Sequence, residues 1–180
     1  MKKAVLKITV VLMALLPVSL LAQKSPVDKL FDKYSGQDGF TSVDVAKGLF
    51  ELFSEIEADD PDFDEFQKAV EGLEKLRLLA CSDDEGEKNL KDNFYSDIMS
   101  SIPFDEYKVL MVVKDDDTDV KFYAKNNNQV ITEMLMVVDG DDEVVLLSLT
   151  GNINLNHVAK LGTSMKLGGM EHLGKMKKSK

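Results

Sequence analysis

The amino-acid sequence predicts an α+β fold: a largely antiparallel sheet that ends in a four-stranded meander, with helices packed mainly on one face. The second half of the chain holds four apolar stretches in close succession. Their connections are short and rich in Asp, Asn and Gly, as hairpins require. The first half instead shows apolar residues at helical spacing around two short strand-like stretches. Helices that pack against one antiparallel sheet form an α+β domain.

Helices are predicted where apolar residues recur every three or four positions and where capping residues or proline mark an end. They are Val27–Tyr34, a stretch from Ala46 to Phe53, a segment from Pro61 to about Gly72, and Leu90–Ile102. Strands are predicted at Phe40–Val45 and Leu73–Cys81.

The meander is predicted from four strands, of which the last two are apolar on both faces and therefore central. The four strands are Tyr107–Lys114, Val120–Lys125, Gln129–Val138 and Glu143–Thr150. Met134 and Met136 share one face of the third strand and are expected in the core. A methionine copper site is the remote alternative.

The first 22 residues predict a cleavable signal peptide, because a basic start and an apolar stretch precede the small residue Ala22. A permanent membrane anchor is the weaker alternative, since Lys7, Thr9 and Pro17 leave fewer apolar residues than the about 20 that a spanning helix needs. A lipid anchor would require a cysteine where Gln23 stands. The protein is therefore expected to be exported, periplasmic or secreted, with no transmembrane span after cleavage.

Residues 23–166 are predicted to form a single α+β domain, which the length of the chain fits. Near its end, Asn154 can cap a final helix whose apolar positions are Leu155, Val158 and Leu161. Two glycines and a series of lysines follow, so residues 167–180 are expected to be a flexible lysine-rich tail.

Charge excludes one class of partner. The signal peptide carries three lysines and no acid, so its removal takes the formal net charge from −10 to −13. Arg77 is the only arginine, and a chain this acidic repels phosphate backbones and anionic membrane surfaces. We therefore expect no nucleic-acid binding.

Cys81 is the only cysteine, so no intramolecular disulfide can form. It is expected to be a buried, small apolar residue, with a reactive thiol or an intermolecular bridge as alternatives.

Several segments together resemble a known family. They are Leu30–Tyr34, Phe40–Phe50, Glu133–Val138 and Leu147–Ile153. They resemble family 4252 of the domains of unknown function (DUF4252), small exported proteins found mainly in Bacteroidota. The signal that ends at Ala22 is similar to export signals of that phylum. The resemblance implies export and a compact α+β domain, and it implies no catalytic residues.

No catalytic or cofactor site is predicted. His157 and His172 are the only histidines, and with one distant cysteine they do not make a zinc site. No nucleophile elbow or phosphate-binding glycine loop occurs. The acidic residues from Asp60 to Glu71 resemble a calcium-binding EF-hand loop, but Glu65 occupies the position that needs glycine. They are better explained as an acidic first helical turn.

A weak calcium site is the one metal hypothesis. In an up-and-down meander the turns at Asp115–Asp119 and Asp139–Glu143 lie at the same end of the sheet. Crowded carboxylates attract hard divalent cations. The predicted ligands are Asp117, Asp119, Asp139 and Asp141. The alternative is that these aspartates only solvate hairpin turns.

For function, the leading hypothesis is a non-enzymatic cell-envelope domain that binds a partner protein or ligand. The alternative is a hydrolase-type enzyme of the periplasm. A pocket of convergent polar groups would favour the enzyme. A solid core with an exposed apolar patch would favour the binding domain.

Overall fold

The structure, a computed structural model, describes residues 24–57, 59–82, 89–127 and 130–154. In chain order the elements are α1 (Pro26–Tyr34), β1 (Phe40–Ala46), α2 (Lys47–Glu55), α3 (Pro61–Val70), β2 (Leu73–Ser82), α4 (Leu90–Ser101), a 3₁₀ turn (Phe104–Glu106), β3 (Lys108–Lys114), β4 (Thr118–Asn127), β5 (Val130–Gly140) and β6 (Glu143–Ile153). The predicted signal peptide, the final helix predicted after Asn154 and the lysine-rich tail at 167–180 lie outside the described residues.

The six strands form one sheet in the order β1-β2-β6-β5-β4-β3, and every neighbouring pair is antiparallel. The predicted α+β class and the four-stranded meander, β3 to β6, are therefore confirmed. The last two strands are central, as their apolar character on both faces predicted. The first two strands complete the sheet by pairing β2 with β6.

The helices divide between the two faces of the sheet, which differs from the expectation that they lie mainly on one face. We call face A the side that carries Leu79, Leu135 and Leu146, and face B the side that carries Leu76, Met134 and Leu149. One core cluster joins face A to α1 and α4, and a second joins face B to α2 and α3. The physical reason is that apolar strands with two buried faces need a cover on each side.

The core on face A is the larger of the two clusters. Phe94 and Ile98 of α4 are completely buried against it. Tyr34 of α1 meets the ring of Phe94 edge-on at 4.9 Å between centroids. Cys81 belongs to the same cluster and is 1 % exposed, so its predicted burial is confirmed.

Local signals explain where the helices begin and end. Ser25 caps α1 and forms a reciprocal capping box with Asp28, and Pro26 occupies the first helical position. Pro61 begins α3, and Pro103 follows the end of α4. Among the described residues, no helix has the length and apolar character needed to cross a membrane.

Candidate partner-binding surface

Helix α2 is apolar on two sides, and only one of them is buried. Phe50 and Phe53 face the core on face B. On the outer side, Leu49 is 43 %, Leu52 60 % and Ile56 45 % exposed. Leu49 and Leu52 are three residues apart and lie on one side of the helix, and Ile56 follows directly after its last residue. We call these three residues the outer stripe.

The outer stripe sits on a firmly held helix. The ring of Phe53 meets that of Phe66 on α3 edge-on, 5.2 Å between centroids. The Gln67 side-chain amide of α3 donates to the backbone oxygens of Phe53 and Ile56 at 2.8 and 2.7 Å. These bonds satisfy carbonyls that the end of a helix otherwise leaves without a partner. The stripe is therefore presented by a rigid pair of helices.

The surroundings of the outer stripe are acidic. Glu51, Glu55 and Glu57 are all exposed in or just after α2. Lys47, at the start of the helix, forms an ion pair with Glu51 at 2.9 Å. An apolar line beside exposed carboxylates favours a partner that is apolar and basic.

Sequence reasoning missed this surface. It predicted a helix from Ala46 to Phe53 but did not separate the residues of that helix that are buried from those, such as Leu49, that are exposed. The large number of apolar residues in this short segment already indicated that some of them would be exposed. Helix α2 has nine residues, and its apolar residues lie on two sides. A single core contact buries only one side of a helix, so the other apolar side is left exposed.

A second candidate is a polar cavity of about 170 Å³ on face A, between the start of α1 and strands β2, β5 and β6. The buried Ser148 hydroxyl donates to Oε1 of Glu133 at 3.4 Å, and the Tyr107 hydroxyl donates to Oε2 at 2.7 Å. Burial, with Glu133 close by, raises the pKa of the Tyr107 hydroxyl well above its ordinary value. Both oxygens of the Glu133 carboxylate therefore already accept a hydrogen bond from a hydroxyl group.

Arg77 closes one side of this cavity and is itself held from several directions. Its guanidinium pairs with Asp28, donates to Asp44 at 3.1 Å and lies 4.6 Å from the ring centroid of Phe31. Burial tends to raise the pKa of Asp28. Hydrogen bonds from Ser25 and the charge of Arg77 outweigh that tendency and hold the pKa below its ordinary value. The only arginine of the chain therefore ties α1 to β1 and β2.

The predicted calcium residues are brought to one edge of the sheet, as the meander topology required. Asp119 and Asp139 are cross-strand partners, and the backbone N–H of Asp141 donates to the carbonyl of Asp117 at 3.0 Å. Asp119 and Asp139 lie within strands rather than in turns, because the β4–β5 ladder continues to Thr118. An open cavity of about 340 Å³ lies at this edge.

Lysines already engage part of this acidic edge. Lys114 pairs with Asp119 at 3.2 Å. The Lys91 ammonium donates to the carbonyls of Gly140 and Asp141. Within the described ranges, no three His, Cys, Asp or Glu side chains form a group that could hold a metal ion. Calcium binding at this edge stays a prediction.

A family model described as "Domain of unknown function (DUF4252)" matches residues 34–161, which is most of the chain. No curated protein and no solved structure matches it.

Proposed function

Because the chain belongs to the DUF4252 family, whose description assigns no function, we propose one from its geometry: an exported, non-enzymatic domain that binds a partner protein through the outer stripe of α2. The observation that carries the proposal is the exposure of Leu49 and Leu52 on α2, and of Ile56 just after it, while the other side of the helix is already packed in the core. Single exposed apolar residues are normal on a protein surface. Three exposed apolar residues close together, on one helix and at its end, favour an interaction site.

The partner is expected to present an apolar helix or strand flanked by lysine or arginine. The acids beside the stripe, Glu51, Glu55 and Glu57, would attract such a segment and orient it. They would repel an anionic membrane surface, which is the other common target of an exposed apolar helix side. A protein partner therefore fits the stripe better than a lipid surface.

The first experiment locates the contact. A photo-crosslinking residue is introduced at Leu52 in the native host, and a matched control carries it at Val109. Both positions are 60 % exposed, but Val109 lies on the edge strand β3. We expect a discrete adduct with another protein from position 52 and none from position 109. Equal adducts from both positions, or an adduct between position 52 and the chain's own residues 167–180, would overturn the proposal.

The second experiment measures the interaction with the partner identified in this way. Leu52→Lys places a positive charge opposite the basic partner, so we expect the Kd measured by titration calorimetry to rise at least about tenfold, or about 1.4 kcal/mol. Val109→Lys should leave the Kd unchanged. Glu51→Gln should weaken the dependence of the Kd on salt, because it removes one charge from the acidic surroundings. An unchanged Kd for Leu52→Lys would exclude the outer stripe as the contact.

Export to the periplasm or beyond is the second part of the proposal, and the order of residues in the first 22 positions supports it. Mass spectrometry of the protein from its native host should give a mature chain that begins at Gln23. A mature chain that still carries residues 1–22 would refute cleavage.

The alternative function, a hydrolase-type enzyme, is favoured by one observation, the convergence of Ser148 and Glu133 in the polar cavity. A serine nucleophile needs a base able to take its proton. Tyr107 already donates to the Glu133 carboxylate. If the enzyme hypothesis holds, the mature protein should hydrolyse a simple aryl ester above background and Ser148→Ala should abolish that activity. The partner-binding proposal expects no such activity from either protein.

A further inference from the structure

The polar cavity between the start of α1 and the sheet has a cation and an anion in one row of the sheet. Lys75 on β2 is the register partner of Thr150 on β6, and Thr150 is the register partner of Glu133 on β5. Because neighbouring strands lie about 4.8 Å apart, the backbones of Lys75 and Glu133 are about 10 Å apart, with Thr150 between them. All three residues line the cavity. Side chains of opposite charge therefore reach the same space from two sides.

Glu133 is the anionic side of this space, and the groups that donate hydrogen bonds to it are neutral. The hydroxyls of Tyr107 and Ser148 donate to its two oxygens at 2.7 and 3.4 Å. Within the described part of the chain, no lysine or arginine forms an ion pair with Glu133. A carboxylate can accept about four hydrogen bonds, so Glu133 has capacity for a further donor. A positively charged donor is favoured, because it also balances the charge.

Lys75 and Arg77 form the cationic side, and they are held to different degrees. Arg77 is fixed by Asp28 and Asp44, and its side chain is 14 % exposed. The Lys75 side chain is 39 % exposed, and its ammonium lies 4.0 Å from the Asp28 carboxylate, the outer limit of an ion pair. Lys75 can therefore turn towards an anionic group in the cavity without breaking a close ion pair.

We propose that this cavity binds a small zwitterion of the free amino-acid class, whose ammonium donates to Glu133 and whose carboxylate accepts from Lys75. The charged residues that line the cavity balance, because Lys75 and Arg77 oppose Asp28 and Glu133. A simple anion or cation would satisfy only one side, whereas a zwitterion satisfies both. The cavity lies on face A and the outer stripe belongs to a helix on face B, so this inference does not rest on the partner-binding proposal.

The size and the lining of the cavity fit a ligand of this class. Pockets for drug-sized ligands measure about 300–1,000 Å³, whereas this cavity measures about 170 Å³. Ser148 and Thr150, on the strand between β2 and β5, add hydroxyl groups to its lining. Hydroxyls both donate and accept hydrogen bonds, so they can bind either end of a zwitterion. Amino acids with small side chains are therefore expected to bind better than those with large ones.

The first test compares probes on the parent protein at constant ionic strength. Glycine carries both charges, acetate only the carboxylate, and methylammonium only the ammonium. Trimethylglycine carries both charges but has no N–H group to donate. We expect about 50 mM glycine to raise the Tm by at least about 3 °C, the shift that a ligand at ten times its Kd gives in a domain of this size. The other three probes should raise the Tm by less than about 1 °C.

Two outcomes of this comparison would overturn the proposal. One is the absence of a shift with glycine. The other is an equal shift with glycine and with any of the three other probes, because the effect would then need only one charge or would be a general effect of the solute. Neither outcome depends on a variant, so a substitution that impairs folding cannot obscure the result.

The second test locates the site by measuring the glycine Kd of variants by titration calorimetry. Glu133→Gln removes the charge but keeps an acceptor for the Tyr107 hydroxyl, and Lys75→Met removes the cation. Each should raise the Kd at least about tenfold. Lys29→Met is the matched control, because Lys29 is an exposed lysine of α1 outside the cavity lining, and it should leave the Kd unchanged. An unchanged Kd in Glu133→Gln or Lys75→Met, or an equal rise in Lys29→Met, would refute this site.

Discussion

Replacing Gly151 by alanine tests how closely the backbone of β6 approaches the backbone at the start of β2. Gly151 lies on β6 with φ +136°, a conformation that residues with a side chain rarely adopt. A Cβ atom there would lie 2.2 Å from the carbonyl oxygen of Gly72 and 2.8 Å from the backbone nitrogen of Glu74. Because both atoms belong to backbone, no side-chain rotation relieves the clash. At the same place, the backbone N–H of Asn152 donates a hydrogen bond to the Gly72 carbonyl at 2.8 Å.

The magnitude follows from two additive costs. The unfavourable backbone conformation costs about 1–3 kcal/mol. Forcing β2 and β6 apart at this point costs about 1–3 kcal/mol more, as overpacking does in a core. At about 2–4 °C per kcal/mol for a domain of this size, Gly151→Ala should lower the Tm by about 10 °C.

The Tm is measured by calorimetry, and two other glycines provide matched controls. Gly36 also has a positive φ, +79°, but a Cβ there meets no atom within 4 Å. Gly36→Ala therefore isolates the conformational cost, about 1–2 kcal/mol. Gly48 in α2 has room for a Cβ and no positive φ, so Gly48→Ala should be neutral or stabilise by up to about 1 kcal/mol. A Gly151→Ala protein that melts no lower than Gly36→Ala would refute the close approach.

Three further predictions concern Cys81, Asp28 and the acidic edge. Cys81 should react with a thiol reagent only slowly in the native protein and quickly in denaturant, since it is 1 % exposed; rapid native labelling would contradict its burial. Asp28→Asn should cost about 1–3 kcal/mol at pH 7 in urea unfolding, because it removes the charged partner of Arg77. The pKa of Asp28 is lower in the folded protein, so its stabilisation is present above its unfolded pKa of about 3.9 and disappears as the pH falls through the folded pKa. The Asn variant should therefore lose less stability on acidification, and parallel pH curves for the two proteins would exclude this linkage. Finally, if the acidic edge binds calcium, replacing sodium by calcium at constant ionic strength should raise the Tm, and Asp117→Asn with Asp139→Asn should abolish the gain; equal Tm values in the two salts would leave only solvated turns.

The local elements were predictable because their signals are local. The prolines at Pro61 and Pro103 mark helix ends within a few residues of where they occur. The apolar character of β5 and β6 on both faces correctly predicted their central place. The acidic turns were predicted to meet at one edge, and the hydrogen bond between Asp141 and Asp117 confirms it.

What the sequence did not reveal depends on distant partners. The pairing of β2 with β6 brings Cys81 next to Val144, and no property of either strand alone selects that neighbour. The outer stripe was missed for a similar reason, since an apolar residue such as Leu52 looks the same in sequence whether its side of the helix is covered or exposed.

The strand order also has a consequence for the way in which the chain folds. The four strands of the meander pair with sequence neighbours, so their contacts are local and can form early. The amino-terminal half has no such independence, because β2 has its inner neighbour in β6, the last strand of the described residues. Until β6 arrives, the β1–β2 pair lacks the strand that joins it to the rest of the sheet. A chain arranged in this way can close its sheet only after β6 has been synthesised, so the β1–β2 pair waits for its place in the sheet.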